Sequence, residues 1–435
     1  MDTGLKMRMA PHLGLLTIAR IIEDCGHQVE FVNENFRPHM PYAGADLIGI
    51  SASLDVIPRA YELACQYKDL GIPVVVGGIG ITSDPAYSQT LFDTICLGPA
   101  EPYWKQLLQD AQEGRLKPVY RADNSFGGDK LLPPSFRSAD VSGFLYSNVI
   151  ATSRGCPFCC DFCYNSAVKD IYGYHHRTVA SVMEEIRSKN TRHIMFIDDN
   201  FIGDPAFTRA LLREMAPMKL KWNAAVSANI GEQPELLDLM AETGCRSLFV
   251  GFESLNQASL GTVHKGQNEV SRYEHLVEAL HSRGIMVNAS FVFGLDEDDI
   301  GVFDRTADWI IRHRIETVTS HILTPYPGTA LYRRLKEENR IIDDDISHYD
   351  TAHVVYQPRN MSPQELYEGY LSIYRKVFST ANILRRIPRS SSQILPYLCF
   401  NIFYRKYGAQ TEKVCSLCGY ERMGKAARKA AYWIS

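Results

Sequence analysis

Thr152-Ser153-Arg154-Gly155-Cys156-Pro157-Phe158-Cys159-Cys160-Asp161-Phe162-Cys163-Tyr164 packs four cysteines into eight residues, directly after the apolar run Asn148–Thr152. A short apolar run ending in a cysteine-bearing loop reads as a buried strand with chemistry at its C-terminal end. The same unit recurs downstream. Strand-like runs His193–Ile197, Trp222–Val226, Ser247–Gly251, Val287–Phe293 and Thr317–Leu323 alternate with helical patterns. One of these patterns carries Val179, Val182, Met183 and Ile186 behind the N-cap residue Thr178. Six strand–helix units over residues 146–335 predict an α/β fold, a partial (β/α)6 barrel with its chemistry in the strand-end loops.

Three readings of the cysteine loop compete. Cys156-x2-Cys159 and Cys160-x2-Cys163 supply two pairs for a zinc ion, but zinc pairs are normally separated by a loop and these abut. Four incidental buried thiols would be unusually dense. In the third reading Cys156-x3-Cys160-x2-Cys163 ligate an iron–sulfur cluster, three thiolates for four irons, so one iron stays open to a cosubstrate. Cys159 is extra to this spacing.

The spacing, placed after a first barrel strand, resembles the signature of the radical SAM enzymes. The resemblance implies a [4Fe–4S] cluster on Cys156, Cys160 and Cys163 with S-adenosylmethionine (SAM) on the open iron. One electron from the cluster would split the sulfonium to a 5′-deoxyadenosyl radical. An electron donor such as a flavodoxin or ferredoxin is the implied partner. The later loops resemble the family's cosubstrate contacts in order. His193–Phe201 ends the second strand with Asp198, Asp199 and Asn200, where the family holds the methionine end of SAM; helix capping is the bland alternative. Glu253 and Ser254 end the fourth strand at the ribose-contacting position, with a surface ion pair as the alternative for Glu253. Gly294 ends the fifth, where a missing Cβ lets backbone approach a flat adenine. Thr324-Pro325-Tyr326-Pro327-Gly328-Thr329 resembles the sixth loop. No residue stands out as a catalytic acid or base.

Residues 1–115 show shorter alternation. Leu15, Ile18, Ala19 and Ile22 mark a helix closed by Gly26, followed by apolar runs Val29–Val32, Leu47–Ile50, Val74–Val76 and Ile95–Leu97. The pattern predicts a doubly wound, Rossmann-like domain whose first strand is truncated, since no apolar run precedes Pro11. Ala45–Ser53 and Pro73–Gly80 resemble a cobalamin-binding domain, in which Ser51, Ser53, Gly77 and Gly78 would make room for the cobalamin nucleotide tail. The domain order matches the B12-binding radical SAM class, which includes C-methyltransferases, among them a hopanoid methylase, and an anaerobic porphyrin-ring cyclase. Two departures stand out. The Asp-x-His-x-x-Gly loop is absent, and Gly98-Pro99-Ala100-Glu101 replaces the class's Gly-Glu-x-Glu. A Rossmann-like domain that binds no cobalamin is the alternative reading.

Residues 116–145, rich in Gly, Pro and Ser, read as a linker, and residues 336–435 as a helical C-terminal region opened by the capping box Ser362-Pro363-Gln364-Glu365. His348, Tyr349 and His353 could approach the barrel mouth, against the commoner reading of a hydrogen-bonded structural histidine; Cys415-x2-Cys418 is not a full metal-ligand set, and adding Cys399 makes three ligands for an auxiliary metal. From residue 380 onward ten Lys/Arg face two Asp/Glu, +8 against −12 for the preceding residues. This basic tail flanks the apolar, aromatic Ile394–Phe403; a helical cap over the barrel with a solvated charged face is the favoured reading, and a peripheral contact with an anionic membrane the alternative. The 435 residues are 45% hydrophobic with net charge −4, ordinary for a globular protein and against a nucleic-acid-coating one. No secretory leader or membrane-spanning run is visible, so a cytoplasmic setting is expected. The expected activity is radical functionalisation of an unactivated carbon on a small molecule of lipid or tetrapyrrole type, by cobalamin-dependent C-methylation. Cobalamin-independent oxidative cyclisation or rearrangement is the alternative, and a non-catalytic Fe–S or cobalamin sensor a remote one.

Overall fold

The computed structural model describes residues 10–34, 41–123, 126–139, 141, 144, 146–407 and 422–423. Strands β1 (Ile48–Ser51), β2 (Val74–Gly77), β3 (Ile95–Leu97) and β4 (Val119–Arg121) form one parallel sheet in that order. Strands β2 and β3 are short apolar segments because both faces of the sheet are covered there. Ile21 of the helix Leu13–Asp24 and Leu107 of the helix Trp104–Gln112 pack with Val75 and Cys96. Ile57 and Ala60 of the helix Ile57–Asp69 pack elsewhere with Val76, Ile81 and Ile95.

The N-terminal sheet departs from the sequence reading in two places. Its strand order runs one way, without the reversal of a doubly wound sheet. Val29–Val32 forms no strand, and Val32 is 40% exposed. Among the described residues no strand lies beyond β1 to accept its backbone hydrogen bonds, and a lone strand has nothing to pair with. The fourth strand, Val119–Arg121, falls in the segment read as linker, so the sheet extends past residue 115.

Strands β5 (Val149–Ile150), β6 (Ser153–Arg154), β7 (His175–His176), β8 (His193–Phe196), β9 (Lys221–Ser227), β10 (Cys245–Glu253), β11 (Met286–Phe293) and β12 (Thr317–Ile322) build the second body. Six of them pair in parallel as β5-β8-β9-β10-β11-β12, an open barrel. The remaining two, β6 and β7, pair antiparallel and clasp the base of the cysteine loop. Alternation along the strands separates two faces. Trp222, Ala224 and Val226 of β9 are buried in the large core that also holds Leu211, Leu236 and Met240 of the helices, while Lys221, Asn223 and Ala225 stay partly accessible on the other side. Thr317, Thr319 and His321 repeat this on β12, so the partial barrel keeps a polar, accessible inner face.

The helix Pro363–Val377 starts at the expected capping box, Ser362 and Glu365 bonding each other's backbone N–H, and packs on β12 and on the helix Val302–Arg312. Arg386 is fully buried and donates to the carbonyls of Ile315 (2.6 Å), Glu316 and Val377, and Asn401 of the helix Ser391–Tyr407 also donates to Glu316 O. Ile315 and Glu316 precede β12, so the C-terminal helices close the end of the barrel opposite the cysteine loop. Cys399 is exposed on that helix; Cys415 and Cys418 lie outside the described residues. Among the described residues no helix is long and apolar enough to cross a membrane.

Candidate functional site

Gly155 opens the cysteine loop at φ +74°, where a Cβ would lie 2.8 Å from Gly173 O, so only glycine lets the chain turn tightly out of β6. Cys160 is buried, Cys156 and Cys163 are partly buried, and Cys159 is exposed. Cys163 closes the loop as N-cap of the short helix Tyr164–Ala167. Burial pushes all three recessed thiols up, Cys163 to about 12, and charge on Cys160 raises Cys156 and Cys163 further. Gln267 Nε2 lies 3.5 Å from Cys160 Sγ. Cys159 points away and takes a 2.6 Å contact from Lys169 Nζ at the surface.

The donor set fits an iron–sulfur cluster better than a zinc ion. Among the described residues no three His, Cys, Asp or Glu side chains are gathered for one ion. A cubane would ask each thiolate for a different iron, and the positive charge of bound iron would offset the desolvation that holds these thiols protonated.

Asp198, after β8, is buried, and its Oδ1 accepts from the backbone and hydroxyls of Thr152 and Ser153 at 2.5–2.9 Å. Burial pushes its carboxyl up to about 6, against those four hydrogen bonds, and Oδ2 is buried with no partner. An orphaned buried oxygen at a strand end suits a ligand's ammonium group. Asp199 is reached by solvent, yet burial raises its pKa, as for a group lining a hollow; Tyr164 Oη donates to its Oδ1 at 2.7 Å. Asn200 is buried and accepts from Ser227 N, tying the end of β8 to the end of β9.

Glu253 has φ +65° and sits at a register shift between β10 and β11, so a β-bulge aims it. It forms a buried ion pair with Lys265 in place of the surface pair weighed from sequence. Burial alone would lower Lys265, but Glu253 and Cys160 outweigh it and hold the ammonium charged beside the cysteine loop. Gly251 leaves the space, since a Cβ there would meet Glu253 Oε1 at 2.6 Å. Ser254 is buried in the next turn, its hydroxyl accepting from Asn256 N.

Gly294 differs from its sequence reading. At φ +96° its absent Cβ would lie 2.3 Å from Tyr356 Oη and 2.8 Å from Leu366, so the space read as room for adenine belongs to the C-terminal region. Tyr356 Oη donates to Gly294 O, and Asp298 Oδ2 accepts from Gly294 N and Leu295 N. His348 and His353 stack at 4.8 Å, each held by its own carboxylate, Asp343 at 2.7 Å and Asp350 at 3.0 Å, while Tyr349 is buried and donates to Asp343 O.

The N-terminal loops face this site. Ser51 ends β1; Ser53 Oγ donates to Asp55 at 2.6 Å. Gly77 and Gly78 serve packing: Cβ atoms there would meet Cys96 Cβ at 3.2 Å and Ala52 O at 2.5 Å, so the loops after β1 and β2 lie against each other. Beyond them the two bodies join by their strand ends. Arg154 beside the cysteine loop pairs with buried Glu101 after β3 at 2.7 Å. Gly98 abuts Ile171, and Gly328 in the loop after β12 has φ +86°, where a Cβ would lie 2.0 Å from Ser83 O. Sequence reading noted Glu101 only as a departure and passed over Arg154, Lys265 and Tyr356; their partners lie far away in sequence.

An open parallel barrel with three thiols recessed in the loop after its first strand, faced by a parallel α/β sheet, is the architecture of radical SAM enzymes with an N-terminal Rossmann-like domain. The Radical SAM superfamily model matches residues 150–310, and a domain of unknown function, DUF4070, matches 329–398. Bacteriochlorophyllide d C-12(1)-methyltransferase of Chlorobaculum tepidum is 31% identical over 82% of this chain and 81% of its own length. Bacteriochlorophyllide d C-8(2)-methyltransferase of the same organism is 26% identical over 94% of each. The radical S-adenosylmethionine methyltransferase TsrM of Kitasatospora setae, solved with cobalamin and a [4Fe–4S] cluster bound, shares the fold, with TM-score 0.70 at 18% identity over 98% of this chain and 97% of its own. The chain belongs to the radical SAM superfamily, whose enzymes work with a [4Fe–4S] cluster and SAM, and the two Chlorobaculum relatives act on small molecules.

Proposed function

We propose that the chain is a cobalamin-dependent C-methyltransferase acting on an unactivated carbon of a tetrapyrrole. The observation that carries this reading is the meeting of two strand-end faces, loops after β1 to β3 against loops of the barrel mouth, joined by Arg154–Glu101 and Ser83–Gly328. A methyl carrier held by the first face would stand next to a radical generated at the second. The two Chlorobaculum relatives support the substrate class, and the shared fold with TsrM supports the carrier.

In this reading Cys156, Cys160 and Cys163 hold the cluster, and Cys159 does not. The cluster with SAM supplies the 5′-deoxyadenosyl radical that removes hydrogen from the substrate carbon. Asp198 Oδ2 and Asp199 receive the SAM ammonium group, while Asn200 and Glu253–Lys265 fix the walls around it; Ser254 and Gly294 shape the neighbouring turns. Ser51, whose hydroxyl bonds no described residue, lies where a cobalamin tail would pass, with Ser53, Gly77 and Gly78 keeping the loops thin. Residues 10–121 form the carrier-binding body, 146–335 the radical body and 336–407 its cap. A flavodoxin- or ferredoxin-type donor supplies the electron, and the basic C-terminal region rests on anionic membrane where the pigment is made.

The test is anaerobic purification with cobalamin supplied, followed by iron, sulfide and corrinoid assays and incubation with SAM and bacteriochlorophyllide. The expected outcome is one cobalamin per chain, 5′-deoxyadenosine, and a product heavier by one methylene. Loss of hydrogen without added carbon, at zero cobalamin, would instead establish oxidative cyclisation.

A further inference from the structure

Each reductive cleavage of SAM takes one electron from outside, so some part of the surface must bring a carrier near the cluster. Residues 1–379 carry a net charge of −12, which repels the acidic carriers that perform such transfers. A docking site must therefore be locally positive and close to the cysteine loop. One flank of the loop meets both conditions.

Pro157 and Cys159 are the exposed residues of the loop, and Cys159 is covalently next to buried Cys160. Lys169 Nζ rests on Cys159 Sγ at 2.6 Å. Arg121 donates to the carbonyl of Asp170, the next residue along, at 3.2 Å. Arg333 donates to Gly328 O at 2.9 Å, and the Cβ position of Gly328 lies 3.4 Å from Ala167 Cβ, on the short helix that follows Cys163. All three cations are exposed, and each bonds only a carbonyl or a thiol; none is in an ion pair among the described residues. Exposed cations outside any described ion pair occur elsewhere too, as Lys105, Arg187 and Arg213 show, so it is the position beside the exposed apex of the cysteine loop that singles out these three. Three unneutralised cations around the exposed apex of an otherwise recessed loop make a local attractive field on an acidic molecule.

We propose that Lys169, Arg121 and Arg333 form the docking surface for an acidic one-electron carrier protein, seated over Pro157 and Cys159. This rests on the cluster being held by Cys156, Cys160 and Cys163. The carrier is oxidised by one electron and the cluster reduced by one; no proton moves and no bond forms or breaks at the surface.

The experiment uses the cluster-loaded chain and a reduced acidic flavodoxin. Binding is followed by calorimetry across a salt series, and cluster reduction by stopped-flow absorbance. For K169E/R121E and for R333E the expected result is a rise in Kd of at least about tenfold with a flatter salt dependence, because charge complementarity acts on encounter and is screened by ions. K169R/R121K should keep both. Reduction by dithionite, which needs no docking, should proceed equally in all variants and confirm an intact cluster. Flavodoxin binding and reduction rates unchanged in the glutamate variants would overturn the docking surface, as would no saturable binding by the unaltered protein at low salt. No cluster reducible by dithionite in the unaltered protein would overturn the cluster assignment beneath it.

Discussion

Gly294→Ala separates two roles for the glycine after the fifth barrel strand. If its missing Cβ admits adenine, the substitution weakens SAM binding and leaves stability alone. The packing around Tyr356 predicts the reverse. Alanine at φ +96° carries backbone strain of about 1–2 kcal/mol. Its Cβ would sit 2.3 Å from Tyr356 Oη and 2.8 Å from Leu366 Cδ2, both buried, and forcing a methyl into such a core costs a further ~1–3 kcal/mol. The sum, roughly 2–5 kcal/mol, lowers Tm by about 5–15 °C in a domain of this size. Thermal unfolding followed by circular dichroism measures it. Tyr356→Phe removes the hydroxyl that the new methyl strikes, so G294A should cost less in that background, with a coupling of about 0.5–3 kcal/mol. A G294A protein with unchanged Tm and a raised SAM Kd would refute the packing account and restore the nucleoside one.

Further outcomes follow from the same geometry. Changing Cys156, Cys160 or Cys163 to alanine should abolish cluster iron and acid-labile sulfide in anaerobically reconstituted protein, whereas Cys159→Ala should retain both. Glu253→Gln strands the buried Lys265 ammonium and should cost about 3–5 kcal/mol in urea unfolding, while E253Q/K265M should recover most of it, since a lone buried charge is worse than none. Asp298 has its folded pKa raised to about 6 by burial, against hydrogen bonds from Ser259 and the backbone of Leu295 and Gly294. A raised carboxyl means the folded state holds its proton longer. Its contribution is therefore present below pH ~4 and lost as pH climbs through 6, by roughly 3 kcal/mol. Asp298→Asn should flatten the fall in stability between pH 4 and 6, and an identical pH slope in the variant would contradict the assignment.

The barrel was legible because its signals are local. Period-two runs bounded by helical patterns give β8 to β12 nearly to the residue, and the cysteine spacing names its own chemistry. Thr178 and the Ser362–Glu365 box cap their helices as read, since a cap is a contact between residues three apart. What escaped is long-range. Val29–Val32 has strand composition, but a strand needs a neighbour, and pairing is not written in its own residues. Val119–Arg121 is too short and mixed to stand out between Pro118 and the glycines that follow, yet it finds β3. Gly294 was read correctly as a place of close approach; the approaching group, Tyr356, lies 62 residues on. Glu253 was read as a ribose contact with a surface ion pair as the alternative, and the bulge in β10 gives it a buried partner, Lys265.

One of the two departures from the cobalamin-domain pattern acquires a physical meaning at the junction of the bodies. Where the class carries Gly-Glu-x-Glu, this chain keeps Gly98 and Glu101 and loses only the inner acid. Gly98 is needed because Ile171 lies 3.1 Å from its Cβ position at φ +75°, and Glu101 because it answers Arg154, one residue before the turn into the cysteine loop. Arg154 is partly buried and Glu101 almost wholly so; removing either leaves the other charge desolvated, which makes the pair a lock on relative position more than a source of net stability. On the proposed function, a methyl carrier on one face and a radical on the other would meet only if the gap between the faces were constant. The residues retained from the pattern are the ones that set that gap.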